Sequence, residues 1–258
     1  MRVNKVTGGY PGGFALKDIS FSVDAGKVYA LLGLNGSGKT TIIKIILGLL
    51  EAWTGNIYAA DRDILVMKER DRAKIISYVP QYSDIVFDIS VIDVVLMGVS
   101  PYLKIFQTPG RKYIDRAYYY LGILGIENLA HSNYQVLSGG QKQLVIIARA
   151  LLQNGRYILM DEPESSLDLV HKNMLMRKIR GIAKDYKKGC LISMHNPEYA
   201  LNFCDNIILI NDGLVTELDL TAGDMSVIGG ELSKIYGDIE IVEYGGKYFI
   251  YQSHIDMA

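Results

Sequence analysis

Residues 33–40 read GLNGSGKT, a pattern of glycines, a lysine and a threonine that can bind the phosphates of a nucleotide. The pattern fits the P-loop, GxxxxGK[ST], and it lies between a predicted strand and a predicted helix. Its glycines let successive backbone N–H groups face phosphate oxygens, and the helix directs its positive end toward them. A lysine here serves the β and γ phosphates, and the following hydroxyl can ligate Mg²⁺. The predicted phosphate-binding residues are Asn35, Gly36, Ser37, Gly38, Lys39, Thr40 and Thr41.

Other polar residues follow apolar runs in the same way. Asp161 and Glu162 come directly after residues 157–160, and His195 comes directly after residues 190–194. In an open α/β sheet, ligands bind at the carboxyl ends of the strands, so these side chains are expected to lie near the P-loop. A carboxylate such as Asp161 can hold Mg²⁺, and Glu162 faces the place of an attacking water and can act as a general base.

The spacing of apolar residues predicts the elements that position these groups. Short runs with few polar interruptions are typical of strands covered on both faces of a parallel sheet, and they occupy residues 28–32, 75–79, 157–160, 190–194 and 207–210. Helical patterns lie between several of them, at residues 41–50 and 167–186. Strands that alternate with helices indicate the α/β class.

The remaining segments predict additions to this sheet. Residues 18–24 alternate between apolar and polar side chains, as in a half-exposed antiparallel strand. Residues 81–156 are predicted to be helical throughout, with Ser90 and Asp93 as a capping pair, and residues 241–244 and 247–251 predict a hairpin. The predicted fold is therefore α/β: a P-loop ATPase core with a mostly parallel sheet, an N-terminal antiparallel β subdomain and an inserted α-helical subdomain.

Composition narrows the class of protein. The chain has 258 residues with a net charge of -1, 21% charged and 49% hydrophobic, which argues against disorder and against broad electrostatic binding of DNA or RNA. Cys190 and Cys204 lack a CxxC or histidine partner, so buried reduced thiols are expected. No apolar stretch reaches the roughly 18 to 20 residues that a membrane span needs, and no charged-then-apolar leader opens the chain. A cytosolic protein is expected.

Two further motifs make a family resemblance specific. LSGGQ at residues 137–141 is followed by YILMDEP at residues 157–163, and the whole sequence resembles the nucleotide-binding subunit of an ABC transporter, of which LSGGQ is the signature. The resemblance covers about residues 3–215 and implies ATP and Mg²⁺ as cofactors. It makes Glu162 the general base and His195 the switch histidine that contacts the γ phosphate. Gln81 is then the Q-loop residue that reaches the metal and the attacking water.

The resemblance also implies a head-to-tail homodimer. In the family, the signature of one subunit, here Ser138, Gly139, Gly140 and Gln141, covers the ATP on the partner's P-loop. Asp168, in the D-loop at residues 165–168, then bridges the dimer. Tyr10 is the aromatic residue expected to stack on adenine, with Phe14 as a nearby competitor. By the same resemblance residues 1–220 form the ABC ATPase domain, with the helical insertion at about 83–153, and residues 221–258 form a short C-terminal extension.

Residues 90–101, SVIDVVLMGVSP, resemble the VxxVVxxGRxP stretch of subunits that energise uptake of iron chelates, haem and cobalamin, with Val99 in place of the arginine. This implies a separate membrane permease, an extracytoplasmic substrate-binding protein and a peripheral location on the cytoplasmic face of the cell membrane. Residues 91–102 are then expected to be apolar surface for the permease. The alternatives are the ATPase subunit of another ABC importer or exporter, and a soluble ABC ATPase that acts on nucleic acid or ribosomes. The neutral net charge argues against nucleic acid as a partner.

Three other positions depart from the family pattern. Glu164, Asn196 and Leu144 stand where threonine, aspartate and arginine are common. None of these residues is expected to touch a phosphate or the metal directly. ATPase activity is therefore expected to survive all three departures.

Overall fold

Strands and helices alternate along the chain as the apolar spacing predicts. The computed structural model describes residues 1–252 except Tyr82, Asp84, Ser166 and Asp212. The strands are β1 (Arg2–Gly9), β2 (Ala15–Ser22), β3 (Val28–Leu32), β4 (Ala52–Ala59), β5 (Arg62–Asp63), β6 (Ile76–Val79), β7 (Tyr157–Asp161), β8 (Gly189–Ser193), β9 (Asn206–Asn211), β10 (Leu214–Asp219), β11 (Ile239–Tyr244) and β12 (Lys247–Gln252). The α-helices are α1 (Lys39–Leu47), α2 (Glu69–Arg72), α3 (Val91–Leu96), α4 (Arg111–Leu124), α5 (Gly139–Gln153), α6 (Leu169–Asp185), α7 (Pro197–Phe203) and α8 (Met225–Tyr236).

The central sheet has six strands in the order β10-β9-β3-β8-β7-β6. Its pairs are parallel except for β9 with β10, which is antiparallel. Every residue of β3, β7 and β8 is buried, which explains why these strands read as continuous apolar runs. All five predicted parallel strands are confirmed, with boundaries that differ by at most one residue. The strand that precedes the P-loop lies in the interior of the sheet, between β9 and β8.

A second sheet, in the order β2-β1-β4-β5, is antiparallel. It confirms the predicted strand near residues 18–24, since Ile19, Phe21 and Val23 are buried and Ser20 is exposed, although the strand ends at Ser22. Its apolar face shares one core with the isoleucines of α1. Because α1 begins at the end of the P-loop, this core holds the P-loop helix against the antiparallel sheet.

The helical insertion consists of α3, α4 and α5 with short 3₁₀ turns between them. Ser90 caps α3 by accepting a hydrogen bond from the Asp93 backbone, as the sequence predicts. The prediction of helix throughout residues 81–156 is wrong, because residues 103–110 are not helical. Pro109 and Gly110 lie at the end of that loop, and both residue types disfavour a continuous helix.

The expectation that residues 91–102 form an exposed apolar surface is also wrong. Val91, Val94, Val95 and Val99 are fully buried, because α3 packs against α4 and α5 and uses its apolar face to close the core of the insertion. Only Met97 and Tyr102 are exposed, together with polar positions. Exposed apolar side chains lie instead in the loops before and after this segment, at Val86, Phe87, Ile105 and Phe106.

The C-terminal extension contains α8 and the predicted hairpin of β11 and β12. Gly245 and Gly246 form the turn with φ values of 60° and 71°, a left-handed pair that suits a two-residue hairpin loop. The hairpin is confirmed, whereas the sequence did not predict α8. Within the described part of the chain, no helix combines the length and the apolar character that crossing a membrane would require.

Candidate active site

The carboxyl ends of β3, β7 and β8 bring the P-loop, the acidic pair and the histidine to one edge of the central sheet. The Thr40 hydroxyl lies 3.3 Å from Asp161 Oδ1. Glu162 Oε1 lies 2.5 Å from His195 Nε2, and Gln81 donates from Nε2 to Glu162 Oε2 at 2.6 Å. The predicted catalytic residues therefore meet, as expected for the carboxyl edge of an open α/β sheet.

The P-loop wraps closely around its own lysine. Lys39 begins α1, and its ammonium donates to the carbonyl oxygens of Gly33 at 2.8 Å and Leu34 at 3.1 Å. Burial lowers the pKa of Lys39, while the negative charges of Glu162 and Asp161 raise it. Gly38 has a φ of 103°, and a Cβ there would lie 2.6 Å from the Leu16 side chain, so only glycine fits.

The acidic pair is fixed by a serine that the sequence analysis did not single out. The Ser193 hydroxyl at the end of β8 donates to Asp161 Oδ1 at 2.5 Å and accepts from the Glu162 backbone N–H at 3.0 Å. Ser193 is fully buried, and it is the one hydroxyl within the apolar run at residues 190–194. A buried hydroxyl needs hydrogen-bond partners, so a lone serine within a predicted buried strand was the sequence signal that could have identified Ser193.

Glu162 has both carboxylate oxygens engaged, one by Gln81 and one by His195. Its side chain is only 13% exposed, whereas the His195 side chain is 47% exposed, so His195 is the member of the trio that faces the opening of the site. The Glu162 backbone has a φ of 46°, in the left-handed region. Strained backbone is held by surrounding structure, and here the Ser193 hydroxyl supplies a direct hydrogen bond.

Glu164 is a second acid behind the pair. Its side chain is buried, and Oε2 has no hydrogen-bond partner among the described residues. Burial, with the nearby negative charge of Glu162, raises the pKa of this carboxyl to about 7. A threonine would carry no such charge, so this departure from the family pattern places a titratable group directly behind the predicted base.

Two aromatic side chains border the site on the side expected to hold adenine. Tyr10 and Phe14 are 41% and 45% exposed, so neither is excluded as a stacking surface. Lys44 donates to the Tyr10 hydroxyl at 3.2 Å and lies 5.9 Å from its ring centre. Both aromatics line a cavity of about 400 Å³ together with Asn35, Gly36, Gly38, Lys39, Thr40, Thr41, Glu162 and His195. Ser37 does not line it, and its buried hydroxyl lacks a hydrogen-bond partner among the described residues.

The signature residues lie in a different place. Ser138 caps α5, accepting from the Gln141 backbone at 3.3 Å, while the Gln141 side chain accepts from the Ser138 backbone at 3.0 Å. With Gly139, Gly140 and Asp168 they line a separate cavity of about 470 Å³. Asp168 caps α6 and also meets His171 Nδ1 at 2.7 Å; the adjoining D-loop residue Ser166 lies outside the described residues. One chain thus carries two separate half-sites.

Comparison with known proteins identifies the family to which these motifs belong. The sequence profile of the ABC transporter family matches residues 16–165, from β2 through the P-loop and the signature to the acidic pair. The chain belongs to the ABC transporter family. An iron chelatin transport ATP-binding protein of Helicobacter pylori is 34% identical over 251 residues, covering 95% of this chain and 98% of that protein. A hemin import ATP-binding protein of Bordetella pertussis is 32% identical, covering 86% of each chain.

Solved ABC structures share the fold. A metal-chelate type ABC transporter in an inward-facing conformation superposes with a TM-score of 0.81 and 25% identity, covering 97% of this chain and 95% of that one. A dimeric ATP-binding cassette in a post-hydrolysis state with ADP and Pi gives a TM-score of 0.75 and 27% identity, covering 85% and 98%. This ABC protein therefore binds ATP and is an ATPase, and the predicted α/β P-loop fold is confirmed.

Proposed function

We propose that this ABC ATPase drives a separate membrane permease that imports a metal chelate, with an iron–siderophore complex or haem as the cargo. The observation that carries the proposal is the similarity to the Helicobacter pylori iron chelatin transport protein, because it extends over 95% of the chain rather than over the ATPase motifs alone. The hemin import relative and the metal-chelate type transporter support the same class of cargo. Cobalamin, the third expected cargo, has the weaker support.

The site residues have distinct roles in this proposal. The Lys39 ammonium exchanges its hydrogen bonds to the P-loop carbonyl oxygens for bonds to the β and γ phosphates. Tyr10, with Phe14 beside it, packs on the adenine. Thr40 and Asp161 present hydroxyl and carboxylate oxygens 3.3 Å apart, which suit Mg²⁺ as ligands. Gln81, which donates to the adjacent Glu162, is the third proposed ligand. Bound Mg²⁺ neutralises charge on the phosphates. Glu162 orients the attacking water and accepts its proton, while His195 contacts the γ phosphate.

The two half-sites support a head-to-tail homodimer. Within one chain the P-loop and the signature line separate cavities, so we expect the signature of a second copy to cover the ATP on the P-loop. The N-terminus of α5 presents backbone N–H groups and a positive dipole end at Ser138 to Gln141, which suits the γ phosphate held by a second copy. Asp168, beside this half-site, lies at the dimer contact. The dimeric cassette among the structural neighbours supports this arrangement.

The permease is expected to contact the loops that flank the α3 segment. Val86 and Phe87 precede it with 74% and 72% of their surface exposed, and Ile105 and Phe106 follow it with 83% and 101% exposed. Exposed apolar side chains of this kind mark interaction surfaces. In this proposal the protein lies peripherally on the cytoplasmic face of the cell membrane, and an extracytoplasmic binding protein delivers the chelate to the permease.

The test is reconstitution of the full-length chain with its co-purified permease in proteoliposomes. ATPase activity and uptake are measured with a ferric siderophore, haem and cobalamin, and Glu162→Gln is the inactive control. Stimulation and uptake with the ferric siderophore or haem are expected. Stimulation by ribosomes or DNA, with none by any chelate, would instead establish the alternative of a soluble ABC ATPase.

A further inference from the structure

The C-terminal extension reaches back to the active site through one hydroxyl group. Tyr236, the last residue of α8, donates to the backbone carbonyl oxygen of His195 at 3.5 Å. The backbone of Gly33, the first P-loop residue, lies near the same hydroxyl: burial raises the pKa of Tyr236 to about 12, and the Gly33 backbone acts in the opposite direction. The Tyr236 oxygen thus contacts the backbone of His195 close to the start of the phosphate-binding loop, although Tyr236 is 41 residues from His195 in sequence.

The hairpin that follows α8 holds the helix that starts beside His195. Asn202 of α7 donates to the Tyr248 carbonyl at 2.7 Å and accepts from the Tyr248 backbone N–H at 3.0 Å. Glu198 of α7 accepts from the Ile250 backbone at 3.3 Å. Since α7 begins two residues after His195, the extension holds both the carbonyl of the histidine and the helix that follows it.

His195 needs such support because its own side chain is half exposed and points into the opening of the site. Its imidazole has to reach both Glu162 and the γ phosphate, which is bound by a different segment, the P-loop. A displacement of about 1 Å in such a group can lower a rate by about 100-fold. The relative position of the His195 backbone and the P-loop backbone is therefore a quantity that the fold has to control.

We propose that Tyr236 is a positioning residue for ATP hydrolysis: its hydroxyl donates to the His195 carbonyl and, with the hairpin contacts to α7, sets the reach of the imidazole to the γ phosphate. The inference rests on the proposed role of His195. It assigns a task to the C-terminal extension, which lies outside the residues 16–165 that match the family profile. Tyr236 acts through His195 and touches no nucleotide itself.

The alternative is that Tyr236 matters only through its ring, which packs against the main hydrophobic core. Two substitutions separate the two roles. Tyr236→Phe removes the hydroxyl and keeps the ring, whereas Tyr236→Ala removes both. If packing alone mattered, Tyr236→Phe would behave like the parent protein; if the hydroxyl positions His195, Tyr236→Phe loses activity while it remains folded by circular dichroism.

The experiment measures kcat and KM for ATP hydrolysis by the full-length chain, together with the Kd for a fluorescent ATP analogue. For Tyr236→Phe we expect kcat to fall about tenfold, the effect on a rate of losing one ordinary hydrogen bond, with KM and Kd within about twofold of the parent. Tyr244→Phe is the matched control, because this tyrosine of the same extension is 79% exposed. It should keep the parental kcat.

A double-mutant cycle with His195→Ala shows whether the hydroxyl acts through the histidine. Tyr236→Phe is expected to cause no further loss of kcat in the His195→Ala background. Two results would overturn the inference and leave the role of His195 intact. One is a double mutant whose loss of kcat is the product of the two single losses, and the other is a parental kcat for Tyr236→Phe beside a reduced kcat for His195→Ala. A parental kcat for His195→Ala would refute the role of His195 itself, and the positioning role of Tyr236 with it.

Discussion

Glu162 is the proposed general base of the site, and three side chains contact it or its backbone. Ser193 fixes its backbone, and Gln81 and His195 each engage one of its oxygens. These contacts orient the carboxylate without burying it completely.

Replacing Glu162 with glutamine should separate binding from hydrolysis. The amide keeps the size of the side chain but cannot accept the proton of the attacking water, so kcat should fall by about 10² to 10⁴. ATP binding should persist, because Lys39 and the P-loop are unchanged, and size-exclusion chromatography with ATP should show an accumulated dimer. Hydrolysis at the parental rate would remove Glu162 from the mechanism.

Glu164 should make stability depend on pH. Its pKa is raised from 4.5 to about 7 in the folded chain, so the folded state holds a proton that the unfolded state has released between these values. The free energy of unfolding contributed by this group is thus highest below pH 4.5 and falls as pH rises through 7. The loss is on the order of 3 kcal/mol.

Glu164→Gln removes this dependence and should stabilise the protein relative to the parent at pH 8 more than at pH 5. Urea unfolding of both proteins at the two pH values measures the difference. Glu243→Gln is the control, since that carboxyl is exposed in the C-terminal hairpin. An equal effect of Glu164→Gln at pH 5 and pH 8 would show that the buried carboxyl does not titrate in this range.

At the scale of elements, α7 is the short helix that follows His195, the proposed switch histidine, and contacts the C-terminal hairpin. Asn196 caps it, accepting from the backbone N–H groups of Glu198 at 2.8 Å and Tyr199 at 3.4 Å. Aspartate is common at this position in the family, and it can form the same cap. The departure from the family pattern at Asn196 is therefore conservative in its chemistry.

Asn196→Ala should lower the free energy of unfolding by about 1 kcal/mol, because two backbone N–H groups lose their acceptor. The measurement is the urea midpoint at an unchanged m-value. Asn196→Asp should keep the parental midpoint. Equal urea midpoints for the Asn196→Ala protein and the parent would show that water accepts from the two N–H groups with no loss of stability.

The elements were predictable to different extents. The buried parallel strands were placed to within one residue because both of their faces are covered, which leaves an uninterrupted apolar run. The loop at residues 103–110 was mistaken for helix because apolar side chains such as Ile105 and Phe106 resemble a buried face although they are exposed. Helix α8 was missed because its sequence includes Gly229 and Gly230, which weaken a helical pattern.

The site was predictable where one motif supplies the group and was not where distant segments meet. The P-loop and the residues that end β7 and β8 follow from their positions after apolar runs. The contacts made by Ser193 and Tyr236 depend on how strands and helices pack across the fold, which local spacing does not encode. The signature half-site could not join the P-loop within one chain, since the proposed second half comes from another copy.

At the scale of the whole molecule, the exposed apolar loops should transmit motion to the permease. Phe106→Ser should preserve the basal ATPase activity of the isolated subunit, because the side chain is 101% exposed and contributes little to folding. It should weaken co-purification with the permease and abolish stimulation by the ferric chelate. Val66→Ser, at an 83% exposed apolar position away from these loops in sequence, is the matched control. Full stimulation of the Phe106→Ser protein would place the permease contact elsewhere.

The contacts of Glu162 affect how much ATP is hydrolysed without transport. Gln81 and His195 each contact one oxygen of Glu162, the proposed general base, so neither oxygen is free to receive a proton from water in this arrangement. In the proposed mechanism, Glu162 would become available when Gln81 and His195 turn away from it toward a bound γ phosphate. Subunits between transport cycles, or in excess over their permeases, would then hydrolyse little ATP. Most hydrolysis would be coupled to the movement of cargo.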